Sequence, residues 1–246
     1  MVQSPPRTTV HRSDRRPNRG AWGFLRDLVV IVVVAVLASF LIKTFLIRSF
    51  FIPSESMQNT LQVGDRILVN ELVPGLIPLQ RGDVVVFKDP GGWLDGNYTQ
   101  PPDTPVAAAG DWVLSLFGLS TQDANDHLVK RVIGLPGDHV TCCNALGQMS
   151  VNGTPLDEPY VVKQSGSTAV SGIPFDVTVP KDSLWVMGDN RYNSEDSRFH
   201  GDTPTKGYVP ISDVVGRAFV VSWPVTNWSW LTDYPETFAG VRSRSG

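Results

Sequence analysis

The chain has 246 residues, 41% of them hydrophobic and 18% charged, which is enough for one substantial domain or for a domain with a smaller one embedded in it. Its 21 Lys and Arg against 24 Asp and Glu leave a net charge of -3, which excludes the strongly basic surface of a nucleic-acid binder. The charge is unevenly placed. Before Leu28 stand six arginines, Arg7, Arg12, Arg15, Arg16, Arg19 and Arg26, against Asp14 and Asp27. Prolines and serines break any helical pattern from Met1 to Gly20, so residues 1–27 are expected to be a disordered basic tail.

Residues 28–47 are expected to form a transmembrane helix. Fifteen uncharged residues run from Leu28 to Ile42, and Lys43 near the far end can snorkel to the headgroups. The 20 residues match the length needed to cross ~30 Å of hydrocarbon at ~1.5 Å per residue. Two alternatives fit less well. A buried helix of a globular domain would carry a polar face, which this β-branched run lacks. A cleaved secretory signal would end in small residues, and Phe50-Phe51-Ile52-Pro53 is a poor cleavage site. By the positive-inside rule the arginine-rich flank stays in the cytoplasm and everything after Arg48 lies outside the cell membrane.

Residues 48–246 then read as an extracytoplasmic domain of short strands and turns. Strands are expected at Asp65–Asn70, Asp83–Phe87, Leu128–Leu135, Met149–Val151, Phe175–Val179, Leu184–Met187 and Val214–Ser222. No long helical period recurs after the anchor, so the fold class is mainly β, an antiparallel-sheet domain behind a single N-terminal helix. Residues 89–126 look like an irregular insertion with an apolar island at Trp112–Phe117, and residues 144–181, with the hairpin signal Asn152-Gly153, look like a small β subdomain. Trp223, Trp228 and Trp230 suit either core packing or a headgroup interface. Cys142 and Cys143 lack the partners of a zinc site, and an oxidising exterior would permit a disulfide that stiffens the turn.

Three blocks carry the chemistry. The first, Phe51 to Leu61, places Ser54 and Ser56 two residues apart just beyond the anchor, with Ser56 as the candidate nucleophile. In the second, Leu128 to Asp138, strand alternation puts Lys130 on the apolar face of Leu128 and Val132, where burial would lower its pKa and make it a general base. A packed stem with a solvated ammonium is the alternative. If the first segment is extended, Ser54 shares a side with Ser56 and can donate to an oxyanion alongside the Ser56 N–H. The third block, Gly188 to Arg198, is too polar for core: Ser194 is placed to aim the lysine ammonium. Asp189, Arg191, Asp196 and Arg198 alternate in sign as loop-fixing ion pairs, with Arg131 as an outside partner. A calcium or magnesium loop competes, weakened by its two arginines. His127, His139 and His200 could in principle complete a serine–histidine arrangement, but none has so specific a setting as Lys130.

Together these residues resemble the type I signal peptidases, membrane-anchored serine–lysine proteases. The blocks that carry the resemblance are Ser54-Glu55-Ser56-Met57, Gly64 to Asn70, Lys130 to Asp138, and Gly188 to Arg198. It implies Ser56 as nucleophile, Lys130 as base, Ser54 as oxyanion donor, Ser194 as the lysine's orienting group, and an acyl-enzyme. It further implies a fold like that of the repressor proteases, a monomer without metal or organic cofactor, and substrates that are signal-peptide-bearing preproteins with small residues at the first and third positions before the cut. Asn59 departs from the proline usual after Ser-Met-x. Ile52, Met57, Leu61 and Val132 are candidates for the apolar lining of the substrate groove. Two rival readings are a non-enzymatic β domain that binds extended peptides and a self-cleaving protease. Retention of both Ser56 and Lys130 argues against the first, and the anchor with no helix-turn-helix region against the second.

Overall fold

The computed structural model describes residues 21–94, 126–162, 164 and 166–242. It divides into two units, Met1–Leu41 and Ile42–Gly246. Helix α1 (Ala21–Phe45), most of which belongs to the first, is 25 residues long, and its window Trp22–Ser39 is apolar and long enough to cross a bilayer. Both expected boundaries of the helix move. No proline follows Pro17 until Pro53, and the last residues of the expected tail, 21–27, are already helical; residues 1–20 lie outside the described set. At the other end the helix stops at Phe45, because Ile47 is already strand, paired with Asn70.

The second unit holds two antiparallel sheets. Its strands are β1 (Ile47–Phe51), β2 (Arg66–Asn70), β3 (Val84–Lys88), β4 (His127–Gly134), β5 (His139–Cys142), β6 (Ser150–Val151), β7 (Thr154–Pro155), β8 (Phe175–Thr178), β9 (Ser183–Met187), β10 (Val209–Pro210), β11 (Val214–Trp223) and β12 (Ser229–Trp230). The larger sheet runs β1-β2-β11-β3-β4-β9-β10 with β12 on β11, and the smaller β7-β6-β5-β8. The seven expected strands are all present within a residue or two of their expected ends, and β1, β5, β7, β10 and β12 are additional to them. The small subdomain begins at His139 rather than 144, because β5 is the strand to which both β6 and β8 pair. Cys142 and Cys143 at its end are joined by a disulfide.

At the centre of the large sheet both faces are buried, and β3 shows why its sequence is continuously apolar. Val84 and Val86 pack into one core with Phe50, Ile52, Met57, Leu61 and Ile67, while Val85 and Phe87 pack into another with Trp93, Val132 and Leu184. A third core, with Ile133, Val140, Met149 and Trp185, joins the small sheet to β4 and β9. Most of the expected insertion, residues 95–125 with its apolar island, lies outside the described residues. What is described is a tight start, where the Asp89 carboxylate accepts from the backbone N–H groups of Gly91, Trp93 and Leu94.

Charged groups are buried between these cores in matched pairs. Arg131 meets Asp189 through two bonds of 2.8 and 2.7 Å, and Arg191 meets Glu158 at 3.1 and 2.6 Å. Glu158 has no sequence signal, and its carboxylate is what offsets the cost of burying Arg191. Glu158→Gln keeps the shape and strands that guanidinium, so it should cost about 3–5 kcal/mol of unfolding free energy, read as the shift of the urea transition of the detergent-solubilised chain. A loss under about 1 kcal/mol, the value of an exposed pair, would contradict this account.

Candidate active site

Ser56 sits in a run of turns that leaves β1 and is pinned from both sides. Below it, Met57 and Leu61 are 1% and 0% exposed in the first core, with Leu61 N–H donating to Met57 O at 2.8 Å. Above it, the N–H of Asn190 donates to Ser56 O at 3.0 Å. Gly188 makes that approach possible, since any Cβ there would strike Ser194 Oγ and Ser56 O. Asn59 adopts φ +86°, a left-handed conformation that asparagine tolerates and proline cannot reach.

Lys130 approaches from the middle of β4. Its strand neighbours follow the expected alternation: Leu128 and Val132 belong to one core, Val129 and Ile133 to the two others. Lys130 is 4% exposed and Ser56 8%, and Nζ lies 2.8 Å from Ser56 Oγ. Ser54 Oγ is 3.3 Å from the same oxygen. Burial lowers the lysine pKa from 10.5 to about 8; Asp196, Asp189 and Glu195 pull it up, and Arg198 pushes it further down. About a tenth of such a group is neutral at pH 7, and in that form the serine O–H donates to the amine.

The polar block is organised around Asp196. Its carboxylate accepts from Gly188 N at 3.0 Å, from Arg198 Nε and Nη2 at 2.8 and 2.7 Å, and from Ser194 Oγ at 2.9 Å. Ser194 therefore spends its proton on Asp196, the stronger acceptor, and among the described residues it is not bonded to Lys130; the expectation of direct aim is corrected. Asp189, Arg191, Asp196 and Arg198 do form ion pairs, two of them with partners outside the block: Asp189 with Arg131 and Arg191 with Glu158. The Arg131 guanidinium also lies 4.2 Å from the ring of Tyr160 and 5.2 Å from that of Tyr234, two rings that meet each other at 4.8 Å, a contact no sequence pattern announced. The Asp189 and Asp196 carboxylates, candidates for a cation loop, are occupied by arginines.

The histidines stand elsewhere. His127 packs on Phe50, His139 Nε2 pairs with Asp176 at 2.6 Å, and His200 donates from Nδ1 to Asp196 O at 2.9 Å. Ser56 and Lys130 open on a cleft of about 580 Å³ whose walls include Trp93, Leu94, Leu128, Phe199, Glu55 and Glu195. Ile52, Met57, Leu61 and Val132, expected as its lining, are instead core residues at 3%, 1%, 0% and 0% exposure. Their side chains gain more from full burial in the core than from one wet face.

With this geometry established, the chain can be set beside known proteins. A family model described as signal peptidase, peptidase S26, matches residues 25–223. The chain is 41% identical over 223 residues to the signal peptidase I of Mycobacterium tuberculosis (strain H37Rv), covering 83% of this chain and 74% of the relative. It is 38% identical over 228 residues to a probable signal peptidase I of Mycobacterium leprae, covering 83% and 78%. Against the probable signal peptidase I-2 of Synechocystis the identity is 36% over 236 residues, covering 96% and 88%.

The burial of Lys130 has a direct readout. In the protein carrying carbon-labelled lysine, one side-chain resonance should titrate at about 8 rather than the ordinary 10.5 and be absent from Lys130→Arg. A full set of lysines titrating near the ordinary value would remove the basis for calling Lys130 a base.

Proposed function

The chain belongs to the signal peptidase S26 family, and we propose that it cleaves signal peptides from preproteins by attack of Ser56, with Lys130 as the general base. One observation carries the assignment: the 2.8 Å contact between Lys130 Nζ and Ser56 Oγ, both buried and facing one cleft. Neutral Lys130 takes the Ser56 proton as Oγ adds to the scissile carbonyl. The oxyanion that forms accepts from the Ser56 N–H and the Ser54 hydroxyl. The lysine ammonium then gives its proton to the departing amine, leaving the signal peptide esterified to Ser56. Water, deprotonated by Lys130, attacks the ester and restores the serine. Asp189, Arg191, Asp196, Arg198 and Arg131 support this site, and Ser194 acts on it through Asp196.

The substrate has a place to lie. β4 pairs with β3 from His127 onward but with β9 only from Arg131, so β9 stops short of the Leu128–Lys130 edge beside the nucleophile. An extended peptide adds there as a strand, with side chains two apart entering pockets, which suits small residues at the first and third positions before the cut. The apolar helix is proposed to anchor a monomer with its N-terminus in the cytoplasm and the catalytic unit outside. Trp223, Trp228 and Trp230, at 56%, 53% and 66% exposure, are proposed to meet lipid headgroups. Replacing Trp228 and Trp230 by serine should then slow cleavage of a preprotein in vesicles while sparing a short soluble peptide; equal slowing of both would count against lipid contact.

The base assignment has a sharper test. Arginine keeps its proton at any pH the protein survives, so Lys130→Arg should lose turnover by at least about 10²-fold, as should Ser56→Ala. Only the neutral amine accepts a proton, so wild-type turnover should rise as pH increases through about 8. His127→Ala and His139→Ala should retain most activity. Turnover in the arginine variant, or its loss in either histidine variant with the fold intact, would move the base role elsewhere.

A further inference from the structure

Past residue 223, where the match to the family ends, the chain forms β12 and then a strap, residues 231–242, that is fastened at both ends. At its start Leu231 N–H donates to Phe219 O on β11 at 3.0 Å. Toward its end Thr237 Oγ1 donates to Asp157 O at 2.7 Å, and Phe238 enters the third core. The backbone carbonyls of Gly240 and Arg242 accept from Thr154 Oγ1 at 3.1 Å and from Asn152 Nδ2 at 2.8 Å.

Between those fastenings the strap crosses Arg131. Thr232 O accepts from Arg131 Nη1 at 3.1 Å, and the ring of Tyr234 lies 5.2 Å from the guanidinium. The fit is tight: a Cβ on Gly82 would run into the Asp233 carbonyl. Tyr234 has φ +50°, a conformation that a residue with a Cβ keeps only where its surroundings over-determine it. Among the described residues its hydroxyl makes no hydrogen bond, so what it offers Arg131 is the ring. A ring face holds a cation most strongly where water is excluded, and Arg131 is 0% exposed.

Arg131 in turn neutralises Asp189 through bonds of 2.8 and 2.7 Å. Asp189 bears on both reacting groups. It bonds to Thr60, four residues after Ser56, and with Asp196, Glu195 and Arg198 it is one of the charges that act on Lys130; Glu55 also lines the cleft. Among the described residues no part of the strap lines that cleft. Granted Ser56 and Lys130 as nucleophile and base, on which this inference rests, we infer that Tyr234 is a positioning residue for the reaction: its ring seats Arg131 on Asp189 and so keeps the base and the nucleophile set. Loosening Arg131 leaves the Asp189 carboxylate less neutralised, which favours the lysine ammonium. The Lys130 pKa then rises, and because only the neutral amine accepts a proton, the rise in turnover moves to higher pH.

The test uses the full-length chain in detergent with Tyr234→Leu and Tyr234→Phe. Leucine keeps apolar bulk and loses the ring; phenylalanine keeps the ring and loses only the hydroxyl. Tyr234→Leu should lower kcat on a signal-peptide substrate by about 10-fold, the order that one cation–π contact out of water supplies. Its KM should stay within about twofold of wild type, since the strap does not meet substrate. In the protein carrying carbon-labelled lysine, the Lys130 resonance of Tyr234→Leu should titrate above the wild-type value of about 8, and the rising limb of turnover against pH should move with it. Tyr234→Phe should match wild type in each respect. A merely structural role would reduce the amount of active enzyme and leave both midpoints where they were. A folded Tyr234→Leu protein whose Lys130 titrates at or below the wild-type value therefore overturns the inference, as does a Tyr234→Phe protein that behaves like Tyr234→Leu. If Tyr234→Leu does not fold, Tyr234→Met makes the same comparison. The catalytic assignment fails separately, by turnover in Ser56→Ala.

Discussion

Lys130 is the one buried cation of the site without a carboxylate in contact among the described residues. Arg131, Arg191 and Arg198 are each buried against a carboxylate within 2.7 Å, as the cost of desolvating a charge requires. Lys130 is buried as deeply, and its one hydrogen bond among the described residues is to a serine hydroxyl. An ammonium so placed is stabilised less than its neutral form, which is why the pKa falls to about 8. The same arrangement around an arginine would only destabilise the protein, because arginine cannot release the proton.

Holding that contact takes the rest of the fold. The serine comes from the turns after β1 and the lysine from β4, 74 residues apart in sequence, and no direct strand pairing joins β1 to β4. They are brought together through β2, β11 and β3 on one side and by the polar block on the other. Asn190 N–H and Gly188 clamp the Ser56 carbonyl, and Thr60, four residues on from Ser56, bonds to Asp189. Asp189 is held in turn by Arg131, the residue beside Lys130. The nucleophile and the base are thus both tied to one ion pair.

Much of this was legible in the sequence because it is local. Alternation along Leu128–Ile133 gave the face of Lys130, and β-branched runs bounded by glycine gave the principal strands. What escaped was set by contacts between distant segments. Glu158 and Tyr160 are apart from every block that carried the chemistry, and only the folded chain brings them to Arg191 and Arg131. The substrate-lining candidates failed for a related reason: Ile52, Met57 and Leu61 are near Ser56 in sequence, and their apolar character is as well explained by core as by groove. Trp93 showed the opposite case, a residue with no motif whose position beside Phe87 and His200 places it in the cleft.

The electrostatic balance at Lys130 turns on Asp196. Its carboxylate collects Ser194, Gly188 and Arg198, and so fixes the loop that seats the serine. It is also the charge that does most to raise the lysine pKa, which would keep the base protonated. Arg198 offsets it. Bound to both carboxylate oxygens, it supplies a positive charge that lowers the lysine pKa and leaves the geometry intact. A neutral residue at 198 would leave Asp196 opposed by burial alone, and a neutral residue at 196 would release the loop. The paired arginine lets one carboxylate serve as an anchor while burial sets the strength of the base.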